Sequence, residues 1–191
     1  MKVLLLNGPP QAGKDEAAKA AMRALQKAEA PFIHAKFSAP IKGAWSGMGI
    51  PYTEATKELP HPAFGVSHRQ WAIDFSEKFM KPLYGQDIFA RLMITHLETF
   101  GNETVVISDC GFQVEFEALL KWPRLAELWL ITLTRKGVGV TDFGNDSREF
   151  INPYSPQGKL RCHQYLKIIN DGGLNDLGDV VEEYVLKWLN G

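Results

Sequence analysis

A chain of 191 residues with 45% apolar and 23% charged side chains has the make-up of one globular domain able to bury a sizeable core, and it excludes long disordered or low-complexity stretches. A formal charge of −1 excludes a broad basic face of the kind that attracts nucleic acid or an anionic membrane, so an anionic ligand must be held by local groups. Cys110 and Cys162 lie far apart without metal-ligand spacing, which excludes a disulfide framework or zinc site and fits two thiols in a reducing cytosol.

In chain order, the first β-rich run covers residues 3–6. It is too short for the apolar core of a signal peptide, and no later run reaches membrane-spanning length, so a cytoplasmic location is expected. Directly after it stands Gly8-Pro9-Pro10-Gln11-Ala12-Gly13-Lys14-Asp15, and then an alanine-rich helical pattern over 13–28 with Ala18, Ala21, Met22 and Leu25 on one face. The first seven of those positions fit Gly-x-x-x-x-Gly-Lys. In such a loop backbone N–H groups and a helix N-terminus wrap phosphate oxygens while the lysine neutralises their charge. Gly8, Gln11, Ala12, Gly13, Lys14, Asp15 and Glu16 are therefore the expected phosphate-binding residues, with Lys14 also catalytic. Asp15 stands where Ser or Thr normally offers a hydroxyl to Mg²⁺. It either binds the metal or stabilises the positive helix start.

A second run, 32–37, precedes a long interval, 39–102, that is expected to hold several helices, among them one near 70–81 and one near 87–100. This insertion is where an acceptor would be gripped, with Lys42, Arg69, Gln70 and Arg91 as the candidate contacts. Arg69 is preferred because it opens an amphipathic helix. Trp45, Trp71, Phe75, Phe79 and Tyr84 read as core residues, whereas Tyr52 and Phe64, in loops, are better placed for base stacking.

The third run, 104–108, ends in Asp109 and resembles a Walker B strand, whose aspartate orients Mg²⁺. The next residue is Cys110 and not Glu, which favours transfer to a bound acceptor over hydrolysis. The fourth run, 128–133, leads to Arg135 and then to a polar segment, 136–163, with the composition of a lid. From Arg135 to Lys167 there are six Lys/Arg against three Asp/Glu, and Arg135, Arg148, Lys159 and Arg161 could face a transferring phosphate. Gly137 and Gly139 suit a hinge. A fifth run, 165–169, precedes a final helix over 174–189, and the histidines show no metal spacing. Apolar runs alternating with helical patterns imply an α/β doubly wound fold with a parallel sheet and ligands at the carboxyl ends of its strands.

Taken together these segments resemble the bacteriophage deoxynucleoside monophosphate kinases, a branch of the P-loop nucleoside monophosphate kinases. The matching residues are Gly13-Lys14-Asp15, then Phe37-Ser38-Ala39-Pro40-Ile41-Lys42, Arg69-Gln70, and Tyr84-Gly85-Gln86-Asp87-Ile88-Phe89. Ser108-Asp109, Arg135, and Ile168-Ile169-Asn170-Asp171-Gly172-Gly173-Leu174 complete the series in the family's order. The resemblance implies one P-loop kinase domain over 1–191, a three-layer fold with a five-stranded parallel sheet in the order 2-3-1-4-5, an acceptor-binding helical insertion at about 39–102 and a lid at about 136–163. It implies transfer of the γ-phosphate of ATP to a deoxynucleoside monophosphate with Mg²⁺ at Asp15 and Asp109. Lys14, Arg135 and Arg148 would be catalytic. Small-molecule nucleotides are the expected partners, with neither nucleic acid nor membrane, for a monomer or homodimer. Glu16 departs from the Thr common in the family, Pro9-Pro10 stiffens the loop, and Gln113, a further candidate acceptor contact, stands where many relatives place an arginine after the third strand. A kinase for another phosphorylated acceptor, similar to dephospho-coenzyme A kinase, and an inactive nucleotide-binding module remain as alternatives.

Overall fold

Strands that are apolar on both faces require a sheet covered on both sides, because each exposed face would otherwise leave a continuous apolar surface in water. The computed structural model, which describes residues 1–51, 53, 56–135, 143, 147–154, 162–172 and 174–190, meets that requirement. Its elements run β1 (Lys2–Asn7), α1 (Lys14–Lys27), β2 (Phe32–Ala35), α2 (Ala39–Gly47), α3 (His68–Asp74), a π-helical turn (Phe75–Met80) and α4 (Lys81–Tyr84). There follow α5 (Ile88–Leu97), β3 (Thr104–Ile107), α6 (Gln113–Leu120), β4 (Glu127–Arg135), β5 (Gln164–Asn170) and α7 (Leu174–Asn190).

The five strands form one sheet in the order β2-β3-β1-β4-β5. All pairings are parallel, with Leu5 of β1 opposite Ile107 of β3 on one side and Leu130 of β4 on the other. Alternate residues divide the core into two layers. Leu4, Leu6, Val106, Ile131 and Leu133 pack with the buried face of α1 and with Leu177, Val181 and Val185 of α7. Val3, Leu5, Val105, Ile107 and Leu130 pack with Phe89 and Met93 of α5 and Phe116 and Leu119 of α6. The alanines at 17, 18, 20, 21 and 24 let α1 lie close to the central strands. Parallel strands threaded by helices bring every strand's carboxyl end to one edge. That edge carries the site.

Several boundaries differ from the sequence reading for identifiable reasons. β2 stops at Ala35, two residues before the expected 37, because the backbone N–H of Phe37 and that of Ser38 donate to the Asp109 carboxylate, at 2.7 and 3.0 Å. The helix expected over 70–81 belongs to a longer helical stretch from His68 to Tyr84, started by Ser67, whose hydroxyl accepts from Gln70 N. β5, the edge strand, leaves Tyr165 42% and Ile169 48% exposed, so it is not covered on both faces. Among the aromatics, Trp45 is buried and Trp71 stacks on Phe75 at 4.9 Å against the core. Phe79 and Tyr84, also read as core, are about half exposed at 48% and 52%. Phe64 lies against Trp45 at 5.3 Å, and Tyr52 falls outside the described residues. Among the described residues no helix is long and apolar enough to cross a membrane.

Helix α6 opens with a carboxylate in an unusual setting. Glu115 is buried, and its Oε2 accepts from Gly111 N and Phe112 N, satisfying amides at the helix start. Burial pushes its carboxyl up to about 8, against the pull of those two amides. The unfolded chain ionises this group near pH 4.5 while the folded chain holds the proton until about 8, so Glu115 should erode stability as pH rises through that window. Urea denaturation between pH 5 and 9 should show a steeper decline for the wild type than for Glu115→Gln, with the variant gaining relative stability at the alkaline end.

Candidate active site

β1 carries its apolar run to the carboxyl edge and ends on Asn7, which is fully buried. Between it and α1 the chain must reverse direction, and it does so through positive φ at Gly8 (154°), Gln11 (62°) and Gly13 (102°). A side chain on Gly8 would put Cβ 2.4 Å from the Leu133 carbonyl oxygen, and one on Gly13 would put it 2.8 Å from both Asn170 Nδ2 and Leu177 Cδ2. Both positions therefore need glycine, for conformation and for space. Gly13 is the N-cap of α1 and supplies no side-chain cap, so the first-turn amides keep their donors directed out of the helix. Pro9 and Pro10 have no N–H to contribute. The donors of this cradle are those after Pro10.

Lys14 curls back over the loop, its Nζ donating to the carbonyls of Gly8 and Pro9, each at 2.6 Å. This holds the ammonium over the loop. Asn170, at the end of β5, donates from Nδ2 to the Ala12 carbonyl at 3.1 Å and braces the loop from behind. Arg135, at the end of β4, lies with NH1 3.5 Å from the Gln11 carbonyl, on the same side of the loop. Glu16 pairs with Lys19 at 2.7 Å, one helical turn away.

Asp15 is exposed and meets Lys36 at 3.1 Å, so the residue after the cradle lysine is tied to the chain just beyond β2. Asp109 accepts at both carboxylate oxygens from the loop that opens α2. Among the described residues no group of three His, Cys, Asp or Glu side chains converges as a metal cage. Magnesium rarely uses one, being held by one or two carboxylates together with substrate phosphates and water. Each Asp109 oxygen keeps a lone pair beyond its backbone bond, and Asp15 is open to solvent, so the two expected ligands retain capacity for the ion.

Beside Lys36 lies a cleft of about 370 Å³ lined by His34, Ala35, Lys36, Ala39, Lys42 and His96. Its ionisable lining is two lysines and two histidines, with no carboxylate among the described residues. His34 also faces Ser108, Nε2 to Oγ at 2.9 Å. Burial, and next the Lys36 charge, hold its imidazole below its usual value, so it is neutral near pH 7.

The expected acceptor contacts do not all gather at this cleft. Lys42 lines it. Arg69 pairs with Glu58 at 3.3 Å, Gln70 donates to Asp74 along its own helix, and Arg91 binds Asp87 and the Tyr84 carbonyl. Gln113 uses its amide on the backbone of Asn152. Arg148 rests on Gly111, where an added Cβ would lie 2.5 Å from its Cγ and Cδ. Gly137, Gly139, Lys159 and Arg161 fall outside the described residues. Three contributors were not picked out as site residues in the sequence: Asn7, Lys36 and, as a brace, Asn170. A polar residue closing an apolar run was the available signal for Asn7; the run before Asn170 contains Lys167 and gave a weaker one. Lys36 carried none.

No protein-family model matches the chain, and no curated protein sequence matches it. Among solved structures it is similar to a sugar kinase from Janibacter sp. HTCC2649, at 15% identity over 99% of this chain and 94% of that one, with a TM-score of 0.42. It is also similar to shikimate kinase from Aquifex aeolicus, at 15% identity over 100% of this chain and 98% of that one, with a TM-score of 0.46. Likeness at this level assigns no activity.

The brace behind the cradle has a measurable consequence. Replacing Asn170 by Ala removes the bond to the Ala12 carbonyl, worth about 1 kcal/mol. The midpoint of thermal unfolding should fall by about 2–4 °C, with the far-ultraviolet circular dichroism at 25 °C unchanged.

Proposed function

We propose that the chain is a P-loop kinase that transfers the γ-phosphate of ATP to a deoxynucleoside monophosphate. The observation that carries this reading is the uncapped N-terminus of α1 behind a left-handed Gly13, with the Lys14 ammonium held at the cradle's mouth. Backbone donors, helix dipole and a fixed cation converge there on one volume, which suits the terminal phosphates of a nucleoside triphosphate. An acceptor is favoured over water by the neighbouring cationic cleft, which the Lys36 to Asp15 contact joins to the cradle. A cleft of this size and charge suits a small phosphorylated molecule. The sequence resemblance names the deoxynucleoside monophosphates as its occupants.

Asp15 and Asp109 would hold the magnesium ion with the donor phosphates, and the ion would supply charge neutralisation across the transferred group. The residues of this chain do the rest by position. Cradle amides and Lys14 bind the donor, Arg135 stands beside Gln11 to meet charge developing on the transferred group, and Lys36 and Lys42 draw the acceptor's phosphate into the cleft.

The test is ADP formation from Mg·ATP with each deoxynucleoside monophosphate, each ribonucleotide, shikimate, simple sugars and dephospho-coenzyme A as acceptors. Turnover confined to one or more deoxynucleoside monophosphates is the expected result, and turnover only with a non-nucleotide acceptor refutes it. Lys14→Ala should lower kcat about a hundredfold or more. Lys36→Ala and Lys42→Ala should raise the acceptor's KM with little change in that for ATP.

A further inference from the structure

Between the carboxyl ends of β1 and β3, a short returning segment is fastened to the site by side chains that the proposed reaction does not otherwise use. Asn7 is fully buried, and every polar atom of its amide is engaged. Nδ2 donates to the Cys110 carbonyl at 3.0 Å and to the Glu149 carbonyl at 2.9 Å, while Oδ1 accepts from Ile151 N at 3.1 Å. Gln113 does the same one residue further on. Its Oε1 accepts from Asn152 N at 2.9 Å and its Nε2 donates to the Asn152 carbonyl at 3.2 Å. Glu149 N donates in turn to the Gly111 carbonyl at 2.8 Å, and the Ile151 side chain is buried in the core.

These bonds run from two elements to one backbone stretch, 149–152; those of Asn7 are buried or partly buried, and those of Gln113 lie at the surface. Buried amide bonds of this kind are costly to leave unmade. The stretch is therefore held in one place, and the residue immediately before it is Arg148. Its side chain lies across Gly111, two residues beyond Asp109, so closely that only glycine leaves room for it. Asn7 itself immediately precedes Gly8, and β1 and β3 are neighbours in the sheet. The same clamp thus joins the base of the cradle to the seat of Arg148.

We propose that Asn7 and Gln113 are positioning residues which, by docking residues 149–152, hold the Arg148 guanidinium at the terminal phosphate of a nucleotide bound in the cradle. The assignment rests on the reading of the cradle as a triphosphate site. It does not depend on which acceptor is used. Neither amide touches the nucleotide; both act through Arg148.

A cation aimed at the third phosphate favours ATP over ADP, and a purely structural clamp does not. The readout is therefore the ratio of the affinities for N-methylanthraniloyl-ATP and N-methylanthraniloyl-ADP, measured with magnesium on the full chain. Arg148→Ala should lower that ratio about tenfold, the scale of one charge-assisted contact. Gln113→Ala, at a partly exposed position, should lower it nearly as far, and the double variant no further than Arg148→Ala alone. In Gln113→Ala, hydrogen exchange should quicken at the amides of Glu149, Ile151 and Asn152 while those of β3 keep their protection. Asn7→Asp, which sets a carboxylate against two carbonyls, should quicken the same amides.

The proposal is overturned if Arg148→Ala keeps the wild-type ratio. It is equally overturned if Gln113→Ala leaves exchange at residues 149–152 unaltered, or if it quickens exchange and leaves the ratio intact. A wild type that prefers ATP to ADP but transfers phosphate to no acceptor would defeat the kinase reading, and the affinity comparison would still decide the role of the clamp.

Discussion

Everything at this site depends on how the chain passes from a buried strand to a buried helix between Asn7 and Lys14. Both elements lie in the core, so the turn must be tight, and its tightness forces left-handed backbone at Gln11 and Gly13. The same constraint sets the chemistry. A helix entered through a glycine without a side-chain cap presents its first amides at the carboxyl edge of the sheet, the arrangement that suits an anion.

Around that turn the structure makes each neighbouring strand end contribute one fastening. Asn170 at the end of β5 holds Ala12, Arg135 at the end of β4 approaches Gln11, and Asn7 at the end of β1 reaches across to the residues that follow β3. Asp109, beyond β3, closes over the loop from β2 into α2. The strand ends are thus cross-linked by polar side chains, of which Asn7 and Asn170 are buried, where such bonds specify one arrangement because the alternatives leave donors unpaired.

Charge is distributed with the same economy. A nearly neutral chain gathers cations around this edge: Lys14 over the loop, Lys36 and Lys42 in the cleft, and Arg135 beside Gln11. Lys36 is bound to Asp15, and Asp109 is bound to backbone amides, so both carboxylates are already compensated. Lone carboxylates there would repel a triphosphate.

The strand and helix succession and the glycine turn with Lys14 were legible in the amino-acid sequence, because they depend on local periodicity and on a contiguous strand, turn and helix, whose constraints act within a few residues. The sheet order was implied by the family resemblance alone, and the structure has it. The partners of the polar residues were not legible. Gln113 was expected to face an acceptor and instead holds Asn152; Phe79 and Tyr84 were expected inside and lie half exposed; Asn7 and Lys36 drew no attention as site residues. These outcomes join residues separated by twenty-one positions, for Asp15 and Lys36, to one hundred and fifty-eight, for Ala12 and Asn170. The sequence by itself determined that a glycine turn carrying Lys14 would sit at the edge of a parallel sheet. Only the tertiary structure decided which distant side chains brace it, because the pairing of a buried donor with its acceptor is settled by which strand ends the packed core brings together.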